Sequence, residues 1–176
     1  MCQPNTIGVR VLRNFHSVVE GNTAEQKFIN LRGDKIVRKA TKEEDIKQHW
    51  DVLDSEYGRI DVKAQKRLSR SGSVQNDYHW YELKTVKRPP KWESGKGWGI
   101  PNEVPRLIAF ELQDRFILVN PEDVIDDLRD RCKELGRGEF LLYRREGRGD
   151  LMTMLPVWYL EQNSTAVIHK ESETEF

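Results

Sequence analysis

Three segments in the middle of the chain alternate apolar and polar residues, which is the pattern of half-buried β-strands. They lie near residues 50–54, 59–66 and 78–86, and turn-forming residues separate them, namely Gly58 and the run Ser71-Gly72-Ser73. Successive side chains of a strand point to opposite faces of a sheet, so each segment can bury one face and leave polar groups on the other. Three such strands in succession predict a β-sheet at the centre of the fold.

Helical patterns flank these strands. Residues 23–33 predict a helix that Thr23 caps and Gly33 ends, and Thr41-Lys42-Glu43-Glu44 is a capping-box sequence that opens a second, short helix. The clearest helix starts at Asn120-Pro121 and ends at Gly136, and its predicted buried face consists of Val124, Ile125, Leu128, Cys132 and Leu135.

Together with the remaining segments, these patterns predict the α/β (α+β) fold class, with a mixed central β-sheet flanked by helices. Residues 107–112 and 115–119 predict one hairpin, and residues 139–143 and 151–160 predict an added C-terminal β-hairpin. At 176 residues, the chain has the size of one domain. We therefore expect a single domain over residues 1–160 and a polar, flexible tail over residues 161–176.

Charge and cysteine content narrow the classes of function. The formal net charge is zero, but ten Lys and Arg against four Asp and Glu lie between Arg59 and Lys96, which indicates a local surface for a polyanion. Because the chain has only two cysteines, we expect neither a disulfide framework nor a structural zinc site. With neither an apolar membrane span nor a signal-peptide core, we expect a cytoplasmic protein with no membrane partner.

Two of the predicted strands carry an acidic-x-lysine triplet, Asp61-Val62-Lys63 and Glu82-Leu83-Lys84, and Asp51 lies ten residues before the first. Carboxylates bind hard divalent cations, and a neighbouring lysine can hold a nucleophilic water or a phosphate oxygen. The alternative interpretation is a solvated strand face that carries a charge pair. The same spacing at residues 25–27 and 45–47 falls in helical patterns.

In their order along the chain, several short motifs resemble the PD-(D/E)xK nuclease superfamily, which has the restriction-endonuclease-like fold, and in particular its small phage-encoded members. The resemblance covers roughly residues 20 to 135, although the lead acid lacks the preceding proline. The matching residues are Ala40-Thr41, Glu44-Asp45, His49, Asp51, Ile60-Asp61-Val62-Lys63, Trp80, Glu82, Gly97-Trp98-Gly99 and Ile108-Ala109-Phe110-Glu111.

The resemblance admits two registers of the motif. In the first, Asp51 is the lead acid and residues 61–63 form the triplet; in the second, Asp61 leads and residues 82–84 form the triplet. The usual topology, with the acid on the second strand and the triplet on the third, favours the second register. The Gly58 turn, the stronger strand pattern and Gln65 favour the first, which we prefer.

The resemblance implies an Mg²⁺-dependent endonuclease of phage or mobile-element origin that hydrolyses DNA in the host cytoplasm, with Mn²⁺ as a substitute ion. Asp51 and Asp61 would hold the ion together with the Val62 carbonyl and Glu25, and Lys63 would orient the attacking water. Glu82 is a candidate extra ligand, on the expectation that its strand lies beside that of Asp61.

Basic side chains around the proposed site predict phosphate contacts that are independent of sequence. RNA is not excluded as a substrate, and a homodimer is a further candidate partner, since enzymes that cut both strands are often dimers. The alternative function is a catalytically inactive nuclease-fold protein that binds DNA or inhibits a partner. The predicted nucleic-acid contacts are Arg67, Arg70, Lys87, Arg88, Lys91 and Lys96.

Overall fold

The computed structural model describes residues 23–67, 73–86, 94–144 and 150–170. A helix over residues 23–32 (α1) leads through a 3₁₀ turn, Gly33–Lys35, into strand β1, Ile36–Lys39. Helix α2, Lys42–Gln48, follows, and it carries the predicted capping box between Thr41 and Glu44. Strands β2, Val52–Asp54, and β3, Gly58–Lys63, then form a hairpin.

The rest of the chain contains seven strands and two helices among its described residues. Strand β4 spans Tyr78–Val86, β5 Ser94–Lys96, β6 Leu107–Glu111 and β7 Arg115–Val119. Helix α3, Pro121–Arg131, precedes β8, Tyr143–Arg144, and β9, Leu151–Pro156. Helix α4, Val157–Gln162, and strand β10, Ser164–His169, close the described chain.

The strands form two sheets. A six-stranded sheet has the order β1-β2-β3-β6-β7-β10, and a four-stranded sheet has the order β5-β4-β9-β8. Strands β3 and β6 are parallel, with Asp61 opposite Ile108, whereas the other neighbours are antiparallel. The predicted α/β class with a mixed central sheet is therefore confirmed.

Two apolar clusters show how the layers pack. Ala24 and Phe28 of α1 lie in one cluster with Val52 and Ile60 on one face of the six-stranded sheet. The opposite face, with Ile108 and Phe110, packs against the four-stranded sheet, α3 and α4. The six-stranded sheet is thus the middle layer, and burial on both faces stabilises it.

Several predicted boundaries differ from the observed ones. Helix α3 ends at Cys132, and Leu135 is exposed rather than part of the buried face. The C-terminal β-hairpin exists as β8 and β9 but stops at Pro156, because the chain turns into α4 there.

The prediction of a flexible tail from residue 161 is wrong for β10, whose residues pair with β7 in the six-stranded sheet. The half-buried Ala166 and Ile168 pack on the cluster beneath α1, so the apolar side of this strand fixes it to the fold. No helix of the described chain is long and apolar enough to cross a membrane.

Candidate active site

Asp61 and Lys63 lie on the face of β3 that points away from α1. Ile60 and Val62 pack in the cluster beneath α1, so the alternation of the strand turns Asp61 and Lys63 to the other side. The Lys63 Nζ lies 2.6 Å from Asp61 Oδ1 and 4.8 Å above the ring centre of Trp98. The aromatic face and the carboxylate thus hold the lysine ammonium from two sides.

Asp51 lies immediately before β2, next to the last residue pair between β2 and β3, Val52 and Ile60. Its backbone N–H donates to the Ile60 carbonyl over 2.8 Å, and its carboxylate Oδ2 accepts a 2.6 Å hydrogen bond from the Val62 N–H. This side-chain contact with the β3 backbone fixes the carboxylate beside Asp61. The first register of the motif, Asp51 with Asp61 and Lys63, is therefore assembled at one place in the fold.

Burial and neighbouring charges shift the pKa of Asp51. Burial raises the pKa of Asp51 to about 7, and the negative charges of Asp61 and Glu25 act in the same direction. Lys63 and the hydrogen bond from Val62 oppose the rise. Two carboxylates in a common, poorly hydrated environment disfavour joint ionisation, and a bound cation removes that penalty.

Arg106 is a member of the site that sequence reasoning missed. Its Nε lies 4.0 Å from Asp61 Oδ2, and both atoms are buried without a hydrogen-bond partner among the described residues. The Arg106 guanidinium donates to the Trp98 carbonyl, and burial lowers its pKa while Asp61 opposes this shift. Its only signal in the sequence is an arginine at the start of an apolar strand, which does not identify its partner.

Glu25 lies on α1, on the opposite side of the sheet from Asp61 and Lys63. Its carboxylate forms a 2.7 Å ion pair with Lys39 Nζ of β1. Glu25 still contributes negative charge to the surroundings of Asp51. The structure thus places Glu25 near the lead acid but with a lysine as its direct partner.

The expectation that Glu82 lies on a strand beside Asp61 is wrong. Strand β4 belongs to the four-stranded sheet and pairs with β5 and β9, whereas β6 occupies the place beside β3. Tyr81 packs inward on the core, so alternation turns Glu82 outward, away from the six-stranded sheet. The second register, with Glu82 and Lys84, is therefore not brought together with Asp61 by strand pairing.

His49 borders the same site. It ends α2 in a left-handed conformation with φ of 54°, and its backbone N–H donates to the Asp45 carbonyl. Burial lowers the pKa of His49; the charge of Asp61 opposes this, and Arg106 and Lys63 reinforce it. The electrostatic contributions of Asp61, Arg106 and Lys63 thus reach His49.

The predicted nucleic-acid contacts are only partly described. Arg67 forms an isolated bridge with Val74, and the exposed Lys96 lies opposite Lys84 in the β4–β5 pair. Trp98 is half-buried against Tyr81, so its ring pins this loop to the core. The other predicted contacts fall outside the described residues: Arg70, Lys87, Arg88 and Lys91.

The donor set suits a magnesium ion better than a metal that needs many side chains. Within the described ranges, no group of three or more His, Cys, Asp or Glu side chains is arranged to hold a metal. Mg²⁺ usually takes one or two carboxylates, keeps several waters and binds substrate phosphates. Asp51 and Asp61 meet that requirement, since Asp61 Oδ2 accepts no hydrogen bond among the described residues and its ion-pair partner Arg106 Nε lies 4.0 Å away.

Comparison of the chain with protein-family models, with curated proteins and with solved structures gave no match. The site must therefore be interpreted from its own chemistry.

Proposed function

We propose that the protein is an Mg²⁺-dependent nuclease that hydrolyses phosphodiester bonds in DNA as an endonuclease. The observation that carries the proposal is the meeting of Asp51, Asp61 and Lys63 at the end of the β2–β3 ladder. In the restriction-endonuclease-like arrangement, the lead acid belongs to the second strand and the triplet to the third. The sequence patterns predict no strand directly before β2 and β3; with β1 counted, Asp51 adjoins the second strand and residues 61–63 end the third, so this topology supports the first register.

Each residue has a defined task in this proposal. Asp51 and Asp61, with the Val62 carbonyl, would hold the ion, which when bound supplies charge to the scissile phosphate and lowers the pKa of a water molecule. Lys63 would leave Asp61 Oδ1 and orient the attacking water or a phosphate oxygen. Arg106 would keep a positive charge beside Asp61 while it anchors the Trp98 backbone.

Burial supports a catalytic rather than a merely solvated charge cluster. Asp61 is 3% exposed, and the Lys63 side chain is 24% exposed. A surface charge pair contributes little and needs no such enclosure, whereas carboxylates with perturbed pKa values in a restricted environment are typical of functional sites. Burial and the charge of Asp61 raise the pKa of Asp51, and a bound cation would offset this penalty.

A cleavage assay tests the proposal. Purified protein is incubated with supercoiled plasmid, a branched DNA and a structured RNA, in Mg²⁺ or Mn²⁺ and in EDTA. We expect metal-dependent nicking of DNA that Asp51→Asn, Asp61→Asn and Lys63→Ala each reduce at least about 100-fold, as for loss of a catalytic group. Lys84→Ala is the matched control and should retain activity.

Two outcomes contradict the proposal. Absence of cleavage of every substrate in either metal removes the enzyme function, and loss of activity in Lys84→Ala with retention in Lys63→Ala selects the second register. Calorimetric titration with Mn²⁺ checks the site independently, because Asp61→Asn should weaken binding in either register.

A second candidate is a nuclease-fold protein that binds DNA or a partner without cutting. The ion pairs favour it, because Lys63 neutralises Asp61 and Lys39 neutralises Glu25 without a metal. This candidate predicts nucleic-acid or protein binding that persists in EDTA, and no cleavage in Mg²⁺ or Mn²⁺.

A further inference from the structure

The four-stranded sheet has an outer face that the proposed active site does not use. His79 and Tyr81 of β4 are buried against the six-stranded sheet, so alternation places Trp80 and Glu82 on the other face. Tyr143 of β8 shares that face, because it lies opposite Met152, which in turn lies opposite Glu82. We call the side chains of Trp80, Tyr143 and the adjoining Arg137 the outer aromatic face.

The groups of the outer aromatic face contact one another in a layered arrangement. The ring centres of Trp80 and Tyr143 are 5.5 Å apart, with an angle of 35° between their planes. The Arg137 guanidinium lies 4.9 Å from the centre of the Tyr143 ring and donates a 2.9 Å hydrogen bond to its hydroxyl. Both rings are half-buried and Arg137 is exposed, so solvent reaches the face.

Arg137 differs from two other arginines that lie over aromatic rings, Arg32 and Arg38. Arg32 over Tyr57 binds Asp54 and Glu56, and Arg38 over Trp50 binds Glu44. Among the described residues, no ion pair with a carboxylate holds Arg137. Its guanidinium therefore keeps N–H donors and charge for an anionic ligand.

We propose that the outer aromatic face binds single-stranded nucleic acid, with a base stacked on Trp80 and Tyr143 and a phosphate at Arg137. Rings with an adjacent guanidinium are the usual platform for single strands, because every base offers a π-face and every nucleotide a phosphate. The bases of an intact duplex are stacked on one another and cannot lie flat on this sheet. The negative charge of Glu82 on the same face repels phosphates. Stacking of bases on the rings is therefore the main contribution to the affinity.

This inference rests on the proposed nuclease function. It specifies the substrate class of that nuclease as DNA or RNA with a single-stranded segment. The two ideas remain separable because binding is measured without cleavage. A duplex with a single-stranded flap or a branch would offer the outer aromatic face a free strand, while the Asp61 site acts elsewhere on the same molecule.

The test is fluorescence anisotropy of labelled oligothymidylate, oligouridylate and a closed duplex hairpin, measured with the full chain in EDTA. We expect the single strands to bind more tightly than the hairpin. Trp80→Ala and Arg137→Ala should each weaken single-strand binding by roughly 5- to 100-fold, the range for loss of a stacked base contact. Trp80→Phe should restore most of the affinity, because it keeps a ring.

Arg38→Ala is the matched control, since Arg38 of β1 also lies 4.9 Å from the centre of an aromatic ring, that of Trp50. It removes the same charge and should leave affinity within about twofold. Thermal unfolding of each variant separates loss of binding from loss of folding. Equal affinity in the wild type, Trp80→Ala and Arg137→Ala overturns the inference, as does tighter binding of the duplex hairpin.

The failures are distinguishable. Single-strand binding that depends on Trp80, without cleavage in any metal, leaves this inference standing and removes the proposed nuclease activity. Metal-dependent cleavage, together with single-strand binding that neither Trp80→Ala nor Arg137→Ala weakens, leaves the nuclease proposal standing and removes this inference. A preference for oligouridylate over oligothymidylate identifies RNA as the strand that this face selects.

Discussion

At the scale of single residues, Asp51 combines a proposed role as a metal ligand with a cost to stability. Its carboxylate accepts a hydrogen bond from the β3 backbone, which positions it, but burial and Asp61 raise its pKa to about 7. The folded protein therefore keeps a proton on Asp51 that the unfolded chain releases near the ordinary aspartate pKa of 3.8. The resulting stabilisation is full below about pH 4 and is lost as the pH rises through about 7.

We expect Asp51→Asn to stabilise the metal-free protein at pH 8 by about 1–3 kcal/mol, because the amide keeps an acceptor for the Val62 N–H without the buried charge. The same variant should change stability little near pH 4. Urea unfolding in EDTA at several pH values measures this difference. Asp126→Asn is the control, since the Asp126 side chain is 89% exposed; equal pH dependence of Asp51→Asn and wild type would contradict the assignment.

At the scale of structural elements, the segment after β5 connects the two sheets at the site. Gly97 and Gly99 flank Trp98, and the Gly99 N–H donates to the Glu82 carbonyl over 2.9 Å. A Cβ atom at Gly99 would overlap the Tyr81 ring, and one at Gly97 would overlap the Glu82 carbonyl. The two glycines thus let this backbone approach β4 closely enough to place Trp98 over Lys63.

Gly99→Ala should therefore destabilise the fold by about 1–3 kcal/mol, the range for an overpacked core, and displace Trp98 from Lys63. Chemical unfolding gives the first quantity, and the tryptophan emission and cleavage rate report the second. Gly33→Ala serves as a comparison, because a Cβ there meets no atom within 4 Å and only its φ of +52° causes strain. Equal stability losses in the two variants would show that close approach is not the reason for Gly99.

At the scale of the whole molecule, His79 joins the two sheets. Its ring is completely buried, and since a carbonyl only accepts, the Nε2–H donates to the Glu111 carbonyl over 2.7 Å. Burial lowers the pKa of His79 to about 4; the charge of Lys66 adds to this, while Glu111 opposes it. His79 is thus neutral in the folded protein and protonated in the unfolded chain below about pH 6.5.

Acid should therefore weaken the contact between the sheets. The contribution of neutral His79 is present above about pH 6.5 and is lost as the pH falls to about 4, with a total of about 2–3 kcal/mol. We expect His79→Leu to unfold with a smaller loss of stability between pH 7 and 4.5 than the wild type, measured by urea titration. An unchanged slope in this variant would assign the acid sensitivity to other groups.

The C-terminal strand β10 closes the six-stranded sheet and is part of the same unit. Ile168 packs beneath α1, whereas the neighbouring Val167 is 39% exposed. Ile168→Ala should cost about 1–3 kcal/mol of unfolding free energy, and Val167→Ala less than about 0.5 kcal/mol. Thermal or chemical unfolding of both variants decides this, and comparable losses would mean that β10 does not contribute its inner face to the core.

Local patterns predicted much of the fold because their causes are local. The capping box at Thr41, the Pro121 start of α3 and strand β3 depend on residues a few positions apart, and all three were confirmed, although β3 buries Asp61 as well as its apolar residues. The α3 end was placed too late, because Cys132 ends the helix before Gly136 is reached. Strand β1 was missed, because its four residues bury none of their side chains.

For the candidate site, spacing alone determined that Asp61 and Lys63 share one strand face, because alternation allows no other arrangement. Only the tertiary structure shows which residues of the two registers lie together. The chain leaves the six-stranded sheet after β3 and returns with β6, so Glu82 falls in another sheet while Asp51 meets Asp61 through the Val62 backbone. Arg106, too, reaches Asp61 only through packing of segments far apart in the chain, and no local pattern encodes such a contact.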